Sequence, residues 1–252
     1  MGGLQLARRY TCADLKVLTE AEIARFVGPR SDPQSNIGLA WELLYRREPQ
    51  LYDRLISAER LHPKVVAWFP ADIDRVVEIG AGSGRLTLEL VYRAREVVAI
   101  EPAAPLREIL RRKLSRVPHG RRARVIGGFF DDLPVENDHA DVVVACSAFT
   151  PEPAHGGEAG LTEMERVCRP GGCVAIVWPN NLDWLAERGY THVSFAGEMF
   201  VEFTSAEEAA ELAEIFYPKA AAVVRDRGSR RVSYTTLGIN PPRDLAFRVM
   251  PG

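Results

Sequence analysis

No stretch of the 252-residue chain approaches the roughly 18 consecutive apolar residues that a membrane-spanning helix needs. Its start, MGGLQLARRYTC, lacks an apolar core of signal-peptide length, and Leu6 stands where a myristoylation signal requires serine or threonine. Cysteine is scarce. Cys12, Cys146, Cys168 and Cys173 include no C-x-x-C pair and have no histidines at zinc-ligand spacing. Buried free thiols, no metal site and a cytoplasmic location are therefore expected. A net charge of only −2 gives no global pull towards nucleic acid or an anionic membrane surface. Internal repeats and low-complexity segments are absent as well. What remains, with 46% hydrophobic and 26% charged residues, is the composition of an ordinary globular protein.

Residues 10–69 have helical texture. Leu15, Leu18, Ile23 and Phe26 recur at helical intervals, GPRSDPQSN (28–36) breaks the pattern, and a second helical stretch runs on towards Pro63 and Pro70. From Asp74 onwards short β-branched runs alternate with amphipathic ones. Strands are expected at residues 75–80, 96–102, 124–128, 141–146 and 173–179, and helices at 85–94 and 105–117. Near-continuous apolar strands imply a sheet covered on both faces, hence an α/β fold with a mostly parallel, doubly wound sheet. Only a loop, 129–140, joins the third and fourth strands, just long enough for a parallel crossover. Beyond Pro179, helices are expected at 205–216 and 218–227, the latter closed by Gly228. The final RRVSYTTLGINPPRDLAFRVMPG reads as two strands joined by a turn at Asn240-Pro241-Pro242. The expected organisation is a helical cap over 1–69 and a ligand-binding domain over 70–252.

The chemistry begins at VVEIGAGSGRL (76–86), where a buried-looking strand ends in Glu78 and is followed by Gly80, Gly82 and Gly84. In an open parallel sheet ligands bind beyond the carboxyl ends of the strands. Glycine there permits positive φ and lets a ligand press on bare main chain. A tight turn without a ligand is the alternative. The second strand, VVAIEP, ends in Glu101, about 20 residues after the glycines, where a carboxylate suits both hydroxyls of a ribose. The spacing is G-x-G-x-G rather than the dinucleotide G-x-G-x-x-G. An acid two residues before the first glycine would repel a pyrophosphate and favours a cationic nucleoside.

With GGFFDDLPVENDHADVVVAC (127–146) and LTEMERVCRPGGCVAIVWP (161–179) added in that order, residues 70–180 resemble class I S-adenosylmethionine-dependent methyltransferases. More narrowly, they resemble the small-molecule group with an "LP…D" signature before the fourth strand. The resemblance implies a Rossmann-like sheet of seven strands with an antiparallel last strand. It also implies S-adenosyl-L-methionine as cofactor and S-adenosyl-L-homocysteine as product. Carried over by position, Glu78, Gly80, Ala81, Gly82, Ser83 and Gly84 would hold the methionine and sulfonium end. Glu101 would take the ribose, and Pro102 and Ala103 would border the adenine, with Cys146 leaving the fourth strand beside the cofactor. The family's usual adenine-binding acid is replaced here by Phe129, which leaves Phe130 or Asp131 for that task.

The acceptor should lie over the ends of the fourth and fifth strands, among Phe149, Trp178 and Asn180, with Tyr45 and Tyr52 of the helical cap. For Trp178, core packing is the alternative, and for Asn180 and Asn181 a turn. Trp41, Tyr45 and Tyr52 recur at helix-compatible spacing, for which packing against the domain is the alternative to substrate stacking, and Asp53 could assist there. His155, in the loop TPEPAHGGEAG (150–160), is the base candidate against the alternative of a solvent-facing loop histidine. A basic run (Arg107, Arg111, Arg112, Lys113, Arg116, Arg121 and Arg122) suggests nucleic acid, but aromatic interleaving is missing and a solvated helix face is the plainer reading. The expected partner is a small-molecule methyl acceptor, with no nucleic acid and no membrane. Two other readings stay open: a cofactor-binding regulatory or partner protein without transfer activity, and an NAD-dependent oxidoreductase.

Overall fold

The structure, a computed structural model, describes residues 3–26, 34 and 36–252. Most of the break expected at 28–36 lies outside these residues. The strands are β1 Ile73–Ile79, β2 Ala94–Ile100, β3 Ala123–Ile126, β4 Ala140–Cys146, β5 Cys168–Val177, β6 Thr191–Ser194, β7 Phe200–Glu202, β8 Arg231–Ser233 and β9 Asp244–Val249. The first six helices are α1 Gly3–Ala7, α2 Glu20–Phe26, α3 Ile37–Arg47, α4 Pro49–Ala58, α5 Pro63–Trp68 and α6 Thr87–Leu90. They are followed by α7 Ala104–Leu114, α8 Gly157–Val167, α9 Leu182–Ala186, α10 Ala206–Phe216, α11 Ala221–Arg227 and α12 Tyr234–Leu237. Two compact units result: residues 61–196 with 242–252, and residues 1–60 with 197–241.

The first unit is built on a seven-stranded sheet in the order β3-β2-β1-β4-β5-β9-β6. β2 and β4 both pair parallel with β1, so the strand order reverses between β1 and β4. β9 is antiparallel to both β5 and β6. The unbroken apolar runs are explained by burial on two sides. Val76, Val97, Ala99, Val142 and Val144 share one layer with Leu86, Leu90, Leu110 and Leu114. Their neighbours Val77, Val98, Ile100, Val143 and Ala145 share the other with Leu161, Met164 and Val167. Glu78, in register with Ala99 of β2 and Val144 of β4, is a carboxyl group set among these apolar partners.

The second unit packs α1 against α3 and α10, burying Leu6, Tyr10, Leu39, Leu43, Leu212 and Phe216. Asn36 and Ser205 cap α3 and α10, each accepting from a main-chain N–H three residues on. Arg54 of α4 donates to Glu208 at 2.8 Å and to Glu211 at 2.5 Å on α10, and the buried Tyr217 hydroxyl donates to Glu59. β7 and β8 form a separate antiparallel pair.

The expected terminal hairpin does not form. Ser233 caps α12 by accepting from the Thr236 N–H at 3.1 Å, and Gly238, at φ 72°, ends that helix. The short helix parts the two strands, so β8 pairs with β7 while β9 enters the main sheet. Residues 197–241 accordingly group with the first 60 residues, and α5 groups with the sheet, unlike a single boundary at residue 69. The helix after β1 is shorter than expected, and α8 starts at Gly157, inside the segment read as a loop. Cys12 is exposed rather than buried, whereas Cys168 is buried.

Leu110 is fully buried beneath the glycine turn, where a Cβ on Gly84 would meet its Cδ1 at 2.5 Å. Leu110→Ala is expected to cost about 2–5 kcal/mol, measured by urea unfolding; a loss below about 1 kcal/mol would contradict this packing.

Candidate functional site

At the carboxyl end of β1 the backbone turns through three left-handed glycines, Gly80 at φ 67°, Gly82 at 55° and Gly84 at 103°. The Ala81 N–H donates to the Ile100 carbonyl at 3.0 Å and the Gly84 N–H to the Ala81 carbonyl at 2.9 Å, so the turn is pinned to β2 and to itself. A Cβ on Gly80 would lie 2.8 Å from Ala148 Cβ and 3.2 Å from Phe130 Cζ. The segments after β1, β3 and β4 therefore converge on bare main chain.

Glu101, only 5% exposed, ties that turn to the end of β2. Its Oε2 accepts from the Gly82 N–H at 2.9 Å and its Oε1 from the Ala103 N–H at 2.7 Å. Arg107 fastens the same corner from below, donating through Nη1 to the carbonyls of Glu101 and Pro102 at 2.7 and 2.8 Å. Arg111 and Arg122 similarly donate to the main-chain carbonyls of Val125, and of Val91 and Ala94. Part of the basic run thus clasps the ends of strands.

Glu78 is 1% exposed and accepts from the Thr87 hydroxyl at 2.5 Å. Burial pushes its carboxyl up to about 8; the Thr87 hydroxyl and N–H work against that shift, and the charge of Glu101 adds to it. Two acids flank one turn in different surroundings. Glu101 receives main-chain N–H donors, whereas Glu78 has a hydroxyl partner inside the apolar layer.

Beyond β4, Ser147 is left-handed at φ 56° and donates its N–H to the Val177 carbonyl at 3.0 Å. Beyond β5, Trp178 is left-handed at φ 54°, with the Arg85 guanidinium 5.1 Å from its ring centre. Two non-glycine residues in this strained region at adjacent strand ends mark a site shaped for more than turning the chain. Cys146 is half-buried and Asn180 exposed. Phe130 packs edge-on against Phe149 at 5.4 Å. Phe149 itself is 3% exposed among Leu161 and Met164, a core residue in this structure rather than an open wall. Phe129 forms a bridge with Asp132, and Asp131 is exposed.

His155 lies half-buried in a single 3-10 turn, Pro153–His155. Burial holds its imidazole below the usual range, with Glu152 acting in the opposite sense, so it is neutral at neutral pH and able to accept a proton. Tyr45 and Tyr52 lie in the helical unit, 4.8 Å apart, and with Trp41 and Phe216 they form a cluster of mutually packed rings. Among the described residues, no group of three or more His, Cys, Asp and Glu side chains is placed to hold a metal ion, and no helix is long and apolar enough to cross a membrane. Sequence reasoning missed Thr87. The one available signal for Thr87 was a hydroxyl residue in the helix that follows the glycine turn.

Residues 76–172 match the family model described as a methyltransferase domain. An uncharacterized methyltransferase of Mycobacterium tuberculosis (strain ATCC 25618 / H37Rv) is 32% identical over 132 residues, half of each chain. One of Schizosaccharomyces pombe is 26% identical over 132 residues, 49% of each. The chain thus spans about half the length of the curated relatives it matches. A solved structure of the [4+2]-cyclase SpnF is similar with a TM-score of 0.55 at 14% identity, covering 85% of this chain and 96% of that one. That likeness concerns the fold alone.

Because Glu78 binds its proton more tightly folded than unfolded, it destabilises the ligand-free protein as pH rises from its ordinary value of 4.5 to about 8. Stability should fall across that window by up to about 1.4 kcal/mol per pH unit from this group. Glu78→Gln should flatten that slope in chemical-denaturation curves; an unchanged slope would contradict the burial of an uncompensated carboxyl.

Proposed function

We propose, from the match of residues 76–172 to a methyltransferase domain and the likeness to methyltransferase relatives, that the protein is a class I S-adenosylmethionine-dependent methyltransferase that moves a methyl group to a small-molecule acceptor. The observation that carries this reading is the bare glycine turn set between two buried carboxyl groups. A Cβ on Gly80 would strike Ala148 and Phe130, and the carboxyl groups of Glu78 and Glu101 on either side of the turn suit a cationic nucleoside. The residues present fit the group.

Glu101, held by the Gly82 and Ala103 N–H groups, takes the ribose hydroxyls. Glu78, Gly80, Ala81, Gly82, Ser83 and Gly84 take the methionine end, beside Cys146. Pro102, Phe130 and Asp131 serve the adenine in place of the family's acid. When bound, the cofactor supplies an electrophilic methyl carbon that an acceptor lone pair attacks in line as the carbon–sulfur bond breaks, leaving S-adenosylhomocysteine. The chain's part is to align the two partners and exclude water, an effect worth about 7–11 kcal/mol when orientation is complete. On a hydroxyl acceptor, the neutral imidazole of His155 takes the proton. Trp178 and Asn180, at the end of β5, line the acceptor side. Tyr45 and Tyr52 belong to the same proposal as determinants of acceptor choice.

A small acceptor, rather than nucleic acid, is favoured by the use of Arg107, Arg111 and Arg122 as clasps on main-chain carbonyls. Such guanidinium groups are not a free phosphate-binding face.

Incubation with S-adenosylmethionine and pools of hydroxyl, amine, thiol and carboxylate acceptors should yield S-adenosylhomocysteine by mass spectrometry. Binding with no product from any pool would leave a cofactor-binding protein without transfer. Glu101→Ala should weaken S-adenosylmethionine binding by about 1–3 kcal/mol in calorimetry; unchanged affinity would remove Glu101 from the ribose. His155→Ala should lower turnover of a hydroxyl acceptor about 10²–10⁴-fold with cofactor affinity retained; full turnover would take the base role from it.

A further inference from the structure

The environment of Glu78 goes beyond holding a ligand. Thr87 is fully buried on α6, and its hydroxyl donates to Glu78 Oε2 at 2.5 Å. Among the described residues, Glu101 at the end of β2 is the titratable group whose charge acts on Glu78. The strands on either side present Ala99 and Val144 in register with it, and the layer it faces supplies Leu86, Leu90 and Leu110. A carboxylate in that setting is met by the Thr87 hydroxyl and N–H and by the like charge of Glu101.

The geometry points to Thr87 as a positioning residue: it holds the Glu78 carboxyl at the end of β1, just before the glycine turn, where that group gives up its proton when a cationic cofactor arrives. This inference rests on the proposed use of S-adenosylmethionine, whose sulfonium and ammonium groups supply positive charge. An opposite charge within about 4–6 Å favours the ionised form of a carboxyl group. The step balances simply: the O–H bond of Glu78 breaks, the proton passes to buffer, and the electron pair stays on the carboxylate. Burial pushes the empty site's carboxyl up to about 8, so at neutral pH the group is mostly protonated before binding. Cofactor affinity should therefore rise with pH up to that value, by as much as about tenfold per pH unit. Binding is thereby matched to positive charge by a proton that leaves rather than by a permanently charged, costly buried carboxylate.

Calorimetric titration of the full chain with S-adenosylmethionine at pH 7, in two buffers of different ionisation enthalpy, reads the protons released. About one proton per bound molecule is expected, and none in Glu78→Gln. Thr87→Val should move the midpoint of the affinity–pH profile upwards and weaken binding at pH 7, with Thr87→Ser restoring both. Wild-type binding without proton release overturns this inference while leaving the proposed cofactor intact. So does release that persists in Glu78→Gln, or a Thr87→Val profile that matches wild type. No binding of S-adenosylmethionine at all overturns the proposed function itself.

Discussion

The corner where Glu101 accepts from the N–H groups of Gly82 and Ala103 joins the two halves of the candidate site. One of these donors belongs to the glycine turn after β1 and the other to the residue that precedes α7. The same carboxylate thus sets the distance between the first and second strand ends, and Arg107 holds the carbonyls beneath it. A buried acid without such donors would be costly. With them it becomes a rigid group that ties the glycine turn to the start of α7. The turn and the entry to α7 both depend on these two hydrogen bonds.

Glu78 shows the opposite use of the same chemical group. It lies one strand away, inside an apolar layer, with Thr87 as its hydrogen-bond partner and Glu101 as an unfavourable neighbour. Two carboxyl groups around one turn thereby stand in different surroundings, and burial raises the proton affinity of Glu78. A site of this kind is poised for positive charge, and the glycine geometry adds the close main-chain approach that a flat nucleoside needs. The left-handed Ser147 and Trp178 extend the same rim along β4 and β5, where backbone strain is sustained by hydrogen bonds to Val177 and Asp244.

The central sheet was legible because its strands are buried on both faces: Val76-Val77, Val97-Val98 and Val142-Val143-Val144 each feed two apolar layers. The glycine turn was legible because three left-handed positions in five residues admit little besides glycine. β6 was not, since four residues of an edge strand carry too little periodicity to stand out. The final strand pairing failed for a local reason, the Ser233 cap and Gly238 stop that make a one-turn helix where a hairpin was expected. The assignment of residues 197–241 to the helical unit depends on long-range packing of α10 against α1, which no local pattern announces. At the site, residue types showed Glu78 and Glu101 as a pair but not their unequal surroundings. Those arise from Thr87 and from main-chain donors whose direction only the folded turn determines. Phe149 was placed at the right strand end, yet Gly156 just before α8 and Gly160 within it let it sink into the core.

The central claim is that this turn selects a cationic sulfur nucleoside over a phosphate-bearing one. Parallel equilibrium titrations of the full chain with S-adenosylmethionine and with NADH compare the two directly. Saturable binding of S-adenosylmethionine and none of NADH is the predicted result. Tight NADH binding with no affinity for S-adenosylmethionine would contradict the account.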